Sequence, residues 1–183
     1  FDPNADAAVN YGAIGGVIGH EMGHGFDDQG AKSDENGILR TWWKPEDEQR
    51  FSAKVKALAA QYSMFEPLPG VKVNGDFTSG ENIGDLGGVA VGLHAYKLSL
   101  KGKTAPVLDG FTPEQRFFLG WCQVWRSNIR EAALRNQVTS DVHSPAEYRC
   151  NGVVRNVDEW YSAFGVKPGD KLYLKPEDRV RIW

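Results

Sequence analysis

Cysteine is scarce in this sequence: only Cys122 and Cys150 occur in 183 residues. They do not form a C-x-x-C pair, and two cannot supply the several bridges of a disulfide framework. Two small buried thiols are the expected reading. A single disulfide between them is the alternative, zinc ligation a remote third, and no compartment is read from so few. An excess of positive charge is also lacking. Lys and Arg number 21 against 24 Asp and Glu, a formal charge of -3. With no basic stripe, that balance argues against a nucleic-acid partner. No apolar run is long enough to span a bilayer. The chain opens Phe1-Asp2-Pro3-Asn4, without a methionine or a charged-then-apolar leader. Such an opening is expected of a cut inside a longer chain. Internal repeats, low-complexity tracts and linkers are absent as well.

What is present suits one folded domain over residues 1–183. Hydrophobic residues at 41% and charged residues at 25% are ordinary for a globular protein, and a chain of this length buries a substantial core. Asn4 is placed to cap a helix running from about Ala5 through AAVNYGAIGGVIGHEMGHGF. Gly12, Gly15, Gly16 and Gly19 lie inside it, each costing helix stability by roughly 1 kcal/mol. Close packing must compensate, so this helix is expected to be buried.

A polar loop around KSDENG follows. Pro45 then opens a second helix through Gln61, with Phe51, Val55 and Leu58 on one face. Val71 and Val73 form a possible short strand in the broken stretch PLPGVKVNGDFTSG. A third helix is expected from near Gly80 to about Leu100. Thr112, Pro113 and Gln115 spell the capping box of a fourth, which carries FFLGWCQVW. Arg135 to Pro145 reads as loop, followed by short helical pieces around AEYRC and from Asn156 to Phe164. The expected fold is mainly α with a short strand or two.

Chemistry concentrates first in His20-Glu21-Met22-Gly23-His24. On a helix, positions i and i+4 share a face, so both imidazoles can point at one metal ion. Zinc suits them: it binds imidazole nitrogen and, in catalytic sites, keeps one position for water. Glu21 would flank that water and accept its proton. A motif this short also arises by accident as two helical histidines and an exposed glutamate. A third ligand strengthens it. Glu81 and Asp85 stand four apart in ENIGDLGG and share a helical face. One carboxylate can complete a His₂Glu site while the other accepts a ring N–H from a ligand histidine. An acidic residue at a helix N-terminus, favoured by the dipole, is the plainer explanation of Glu81 alone.

Three segments in register, VIGHEMGHGFDDQG, ENIGDLGG and DVHSPAEYR, resemble the neprilysin family of zinc endopeptidases. The resemblance covers essentially the whole chain, to Trp183. It implies a thermolysin-like zinc-peptidase catalytic domain holding one zinc per chain through His20, His24 and Glu81. Glu21 would be the general base. Asp85 would bond to His20 and Asp27 to His24, and Asp85 is also a candidate active-site acid. His143 would donate to the oxyanion of the tetrahedral intermediate, steadied by Asp141. Arg149 would bind a substrate backbone carbonyl. Val17, Val124 and Trp125 match positions lining the pocket for the side chain beyond the scissile bond. Without the resemblance, His143 and Arg149 read as loop and surface residues, and His94 as a packing or surface histidine.

The implied activity is cleavage of peptides before hydrophobic residues. Another H-E-x-x-H hydrolase is the rival enzyme, and DVHSP-x-x-x-R argues against it. An inert metal-binding fragment is the rival of another kind. Relative to the family, an upstream edge strand with an Asn-Ala pair and a large helical lobe are missing. That lobe is the expected partner of this segment, and without it the site is expected to form but to turn peptides over poorly. The lack of a cysteine shortly before Trp183 points to a bacterial member, outside the cytoplasm. Gly16 stands where animal members place a larger pocket residue. Oligomeric state is not readable.

Overall fold

The computed structural model describes residues 1–183 throughout. Helix α1 (Ala7–Asn10) follows Asp6, not Asn4. Asn4 is drawn into an exposed turn, its N–H donating to Asp2 Oδ1 at 2.9 Å. Asp6 makes no cap bond either, because Arg116 Nε holds its carboxylate at 2.7 Å. The helix then widens into a π turn, Tyr11–Gly15, and tightens into α2 (Gly16–Gly23) and a 3-10 turn, His24–Phe26. The glycine-rich segment is therefore one helical run with an irregular middle.

Helix α3 (Pro45–Tyr62) opens with proline and three acidic residues, Glu46, Asp47 and Glu48, which suit the positive end of the dipole. Its Leu58 is buried, with Phe51 and Val55 packed at the core's edge. Helix α4 is Ser79–Ser99. Helix α5 (Pro113–Val124) carries both arms of its capping box. Gln115 N–H donates to Thr112 Oγ1 at 3.2 Å and Thr112 N–H to Gln115 Oε1 at 2.8 Å.

Helix α6 (Glu131–Ser140) corrects the expected loop over Arg135–Pro145, of which only the residues after Ser140 are irregular. Ala132, Ala133 and Leu134 favour helix, Glu131 pairs with Arg135 at 2.9 Å, and Val138 is buried. Helices α7 (Ala146–Val154) and α8 (Asp158–Phe164) complete the set. Asn156 lies ahead of α8 because its side chain is used elsewhere: its Oδ1 accepts from Val180 N–H at 2.8 Å and Gln61 Nε2 at 3.0 Å. No strand forms. The expected one reduces to a Leu68–Val71 bridge, since Pro67, Pro69 and Gly70 prevent a ladder, and Val73 packs in the core. His94 is a surface residue. No helix is long and apolar enough to cross a membrane.

The tightest contact in the fold is α2 on α4, and glycine makes it possible. A Cβ on Gly19 would lie 2.9 Å from Gly88 Cα, and one on Gly88 would strike Gly16 O and, at 2.6 Å, His20 N. The backbones therefore meet directly, which brings the histidine helix against Glu81 and Asp85. Gly16 is itself covered by Trp121, whose Cε3 would be 2.8 Å from an added Cβ. In this fold it serves packing. Around this seam lies one core that includes Tyr62, Tyr96, Phe117, Phe118 and Trp121.

Cys122 and Cys150 form a disulfide between α5 and α7, their Cα atoms 4.9 Å apart. The expectation of two free buried thiols is overturned: packing of α5 on α7, helices far apart in sequence, juxtaposes the two side chains. Trp121 Nε1 donates to Arg149 O at 3.1 Å beside the bridge and ties the same pair.

Candidate metal centre

Four segments build the centre: α2 with its 3-10 extension, the following Asp27-Asp28 turn, the first turns of α4, and the loop before α7. His20 is buried and His24 half-buried. Each turns Nδ1 outward onto a carboxylate at 2.8 Å, His20 onto Asp85 Oδ1 and His24 onto Asp27 Oδ2. For His24 this is an aligned hydrogen bond, which fixes the tautomer and leaves Nε2 free to ligate, whereas His20 Nδ1 is in ion-pair contact with Asp85 without an aligned bond. Both Nε2 atoms face Glu81, His20 at 3.2 Å from Oε2 and His24 at 3.8 Å from Oε1. Asp27 is held in turn by the backbone N–H groups of Gln29 and Gly30, at 2.9 and 2.7 Å from its Oδ1.

This donor set fits zinc. Bonds of roughly 2.0–2.1 Å in a tetrahedron hold ligand atoms about 3.3 Å apart, close to the separations of Glu81 from the two imidazoles. Glu81 Oε2 is shut off from solvent yet takes no well-aligned hydrogen bond, a costly state that a cation would relieve. Glu21 also brings an oxygen within 4.8 Å of the histidine nitrogens. Its side chain is exposed, so it can face water beside the centre while the partly buried Glu81 closes it.

The protonation pattern follows from these contacts. Burial works to lower the His20 pKa, but Asp85 and Glu81 outweigh it and raise it to about 9. Burial would raise that of Glu81, but His20, His143 and His24 pull it below its ordinary value. Asp141 is lowered too, chiefly because the His143 backbone N–H donates to it.

His143 also reaches Glu81, at the same oxygen as His20. Its Nε2 is 3.0 Å from Glu81 Oε2 and its Nδ1 2.8 Å from Asp141 Oδ1. Arg149 grips Asp85 with two bonds of 2.7 Å, Nε to Oδ2 and Nη2 to Oδ1, and stacks 3.8 Å above the Trp125 ring. Asp85 is wholly buried between His20 and Arg149, so it cannot reach a substrate. Its burial favours the orienting role over that of an active-site acid. The Asp85–Arg149 pair had no signal in the sequence, since 64 positions separate its members.

A cavity of about 520 Å³ opens beside His143, with Trp125, Ile129, Leu134, Tyr148 and Arg149 among its walls. Val17 and Val124 do not line it: Val17 packs against the core and Val124 is exposed on the end of α5.

With this geometry in place, comparison with known proteins defines the class. The profile of peptidase family M13 matches residues 1–180. The chain belongs to peptidase family M13, the neprilysin family. It is 35% identical to Neprilysin-3 of Drosophila melanogaster, over 100% of this chain and 23% of that protein. It is 37% identical to the neutral endopeptidase of Lactobacillus helveticus, over 100% of this chain and 26% of that one. The chain thus spans about a quarter of the length of these curated relatives. Among solved structures, it superposes on the Mycobacterium tuberculosis zinc metalloprotease Zmp1 bound to an inhibitor with a TM-score of 0.98. Identity there is 56%, over 100% of this chain and 29% of the other. PepO of Lactobacillus rhamnosis gives a TM-score of 0.86 at 37% identity, over 98% of this chain and 27% of that one.

Proposed function

We propose that this chain is the zinc-binding catalytic part of an endopeptidase that cuts peptides on the amino side of hydrophobic residues. The observation that carries the reading is the convergence of His20 Nε2, His24 Nε2 and Glu81 on one point, each histidine braced by its own carboxylate. Membership of a family whose relatives include zinc metalloproteases supports it. His20, His24 and Glu81 would hold one zinc per chain. When bound, zinc lowers the pKa of a coordinated water and polarises the substrate carbonyl.

The rest is the work of side chains. Glu21 takes the proton from the attacking water and delivers it to the leaving amine. Asp141 holds His143 by Nδ1–H, so a proton on Nε2 is aimed toward Glu81 and the space beside it. There it donates to the oxygen on which negative charge develops, where a preorganised donor has its largest effect. Arg149, fixed by Asp85 and Trp125, presents its free guanidinium edge to a substrate carbonyl. The apolar walls given by Trp125, Ile129 and Leu134 suit a hydrophobic side chain in the neighbouring cavity. The Cys122–Cys150 bridge supports a location outside the reducing cytoplasm, as the sequence suggested for a bacterial protein.

Hydrolysis of matched peptides differing only in the residue after the scissile bond tests this reading in the intact protein. Phe or Leu there should be cut at least tenfold faster than Glu. A chelator should abolish turnover and added zinc restore it. Chelator-insensitive cleavage, or equal rates on all peptides, contradicts the proposal.

A further inference from the structure

Glu81 and His143 come from segments more than sixty residues apart, yet each is followed directly by a buried polar residue. Asn82 and Ser144 are both 0% exposed. Their side chains meet each other, Ser144 Oγ donating to Asn82 Oδ1 at 2.8 Å. Asn82 Nδ2 donates to Thr78 Oγ1 at 3.0 Å, and Thr78 Oγ1 donates to Asn74 O at 3.1 Å.

The direction of this chain is fixed. The Thr78 hydroxyl spends its one proton on a carbonyl, so it must accept from Asn82. The Asn82 amide is thereby oriented with its oxygen toward Ser144, whose hydroxyl must donate. No member is left without a partner, and fully satisfied buried networks hold one arrangement firmly.

We infer that the Asn82–Ser144 hydrogen bond is a positioning device that sets His143 against Glu81, and that Asn82 and Ser144 are positioning residues for the reaction. The inference rests on the oxyanion role of His143 proposed above. The loop from Asp141 to Pro145 has no regular structure of its own. Its other anchor near the site is Asp141, which is itself part of that loop and half-exposed. Apart from the His143–Glu81 contact whose geometry is in question, the Ser144 bond is the side-chain link from the loop into α4, one residue along from Glu81. Without it, His143 keeps Asp141 but loses its fixed distance from Glu81. Misplacement of a catalytic group by about 1 Å can cost on the order of 10²-fold in rate.

A cycle of Ser144→Ala, His143→Ala and the double variant in the intact, zinc-loaded protein tests this. Ser144→Ala should lower kcat about tenfold or more, with KM within about twofold and zinc affinity unchanged, because α4 still holds Glu81. A crystal structure of that variant should show His143 displaced from Glu81. In the His143→Ala background, Ser144→Ala should cost no further kcat. Equal losses in both backgrounds, or an unchanged kcat in a folded Ser144→Ala protein, would overturn the positioning role. Unchanged kcat in His143→Ala alone would instead refute the oxyanion reading. Should Ser144→Ala not fold, Thr78→Val carries the same comparison. It leaves Ser144 in place but frees the Asn82 amide to rotate, and its kcat loss should likewise vanish without His143. A Thr78→Val loss that persists without His143 overturns the inference.

Discussion

Asp85 serves two cations at once, and this explains why so polar a residue is tolerated with no exposure at all. Two bonds from Arg149 and one contact to His20 leave little of its charge unanswered. His20 bears the consequence. Its metal-free pKa of about 9 lies above the ordinary 6.5, so the folded chain binds this proton more tightly than the unfolded one. The stability it contributes is complete below about pH 6.5 and is lost as pH rises through 9. Zinc held at His20 would take the place of that proton, and its binding would gain as the proton becomes easier to remove. The metal-free protein should therefore lose thermal stability from pH 6.5 to 9.5, while the gap between zinc-loaded and metal-free protein widens. Parallel profiles in thermal melts would contradict the linkage. At this scale His20, Glu21 and His24 were legible because helical spacing alone puts them together. Arg149 was legible only through the family resemblance: its partner Asp85 lies on another helix, and nothing local distinguishes it from a surface arginine.

Among elements, α2 and α4 decide the geometry of the centre, because the metal-facing side chains of one are set by how closely its backbone meets the other. Overpacking such a contact typically costs 1–3 kcal/mol. Gly88→Ala would force Gly16 and His20 away. It should lower stability by about that amount and weaken zinc binding by tenfold or more. Gly25→Ala is the control, since nothing lies within 4 Å of the added methyl. Thermal melts and zinc titrations of both variants check this, and indistinguishable behaviour would show that the seam is not tight. The glycines announced close packing of the first helix, but only their face of it is buried, Ile18 and Met22 being exposed, and no periodicity marks its π turn. Helix α6 was missed because Leu134 and Val138 are its sparse apolar signal and no side chain caps its start. The Thr112 box, by contrast, is a local device complete within four residues, and it was readable.

In the whole molecule, the site exists only because α2, α4 and the loop before α7 are folded onto one core. The disulfide and the Trp121–Arg149 bond hold α5 and α7 to each other beside it. The pairing of Cys122 with Cys150 could not be read in advance, because spacing says nothing of which helices will pack. The family motifs were legible for the opposite reason, each being a short run with its own chemistry. A site assembled this way should bind its ion in the folded state and not in the unfolded chain, so zinc must raise the unfolding temperature. That shift tests the central claim most directly when wild type, Glu21→Gln and Glu81→Gln are measured together. Zinc at a hundredfold excess over its Kd adds about 2.7 kcal/mol. For a chain of this size that corresponds to roughly 5–10 °C. Wild type and Glu21→Gln should both show it if, as proposed, Glu21 acts on water and is not a ligand, and Glu81→Gln should lose most of it. No shift in the wild type, or an undiminished shift in Glu81→Gln, would contradict the account.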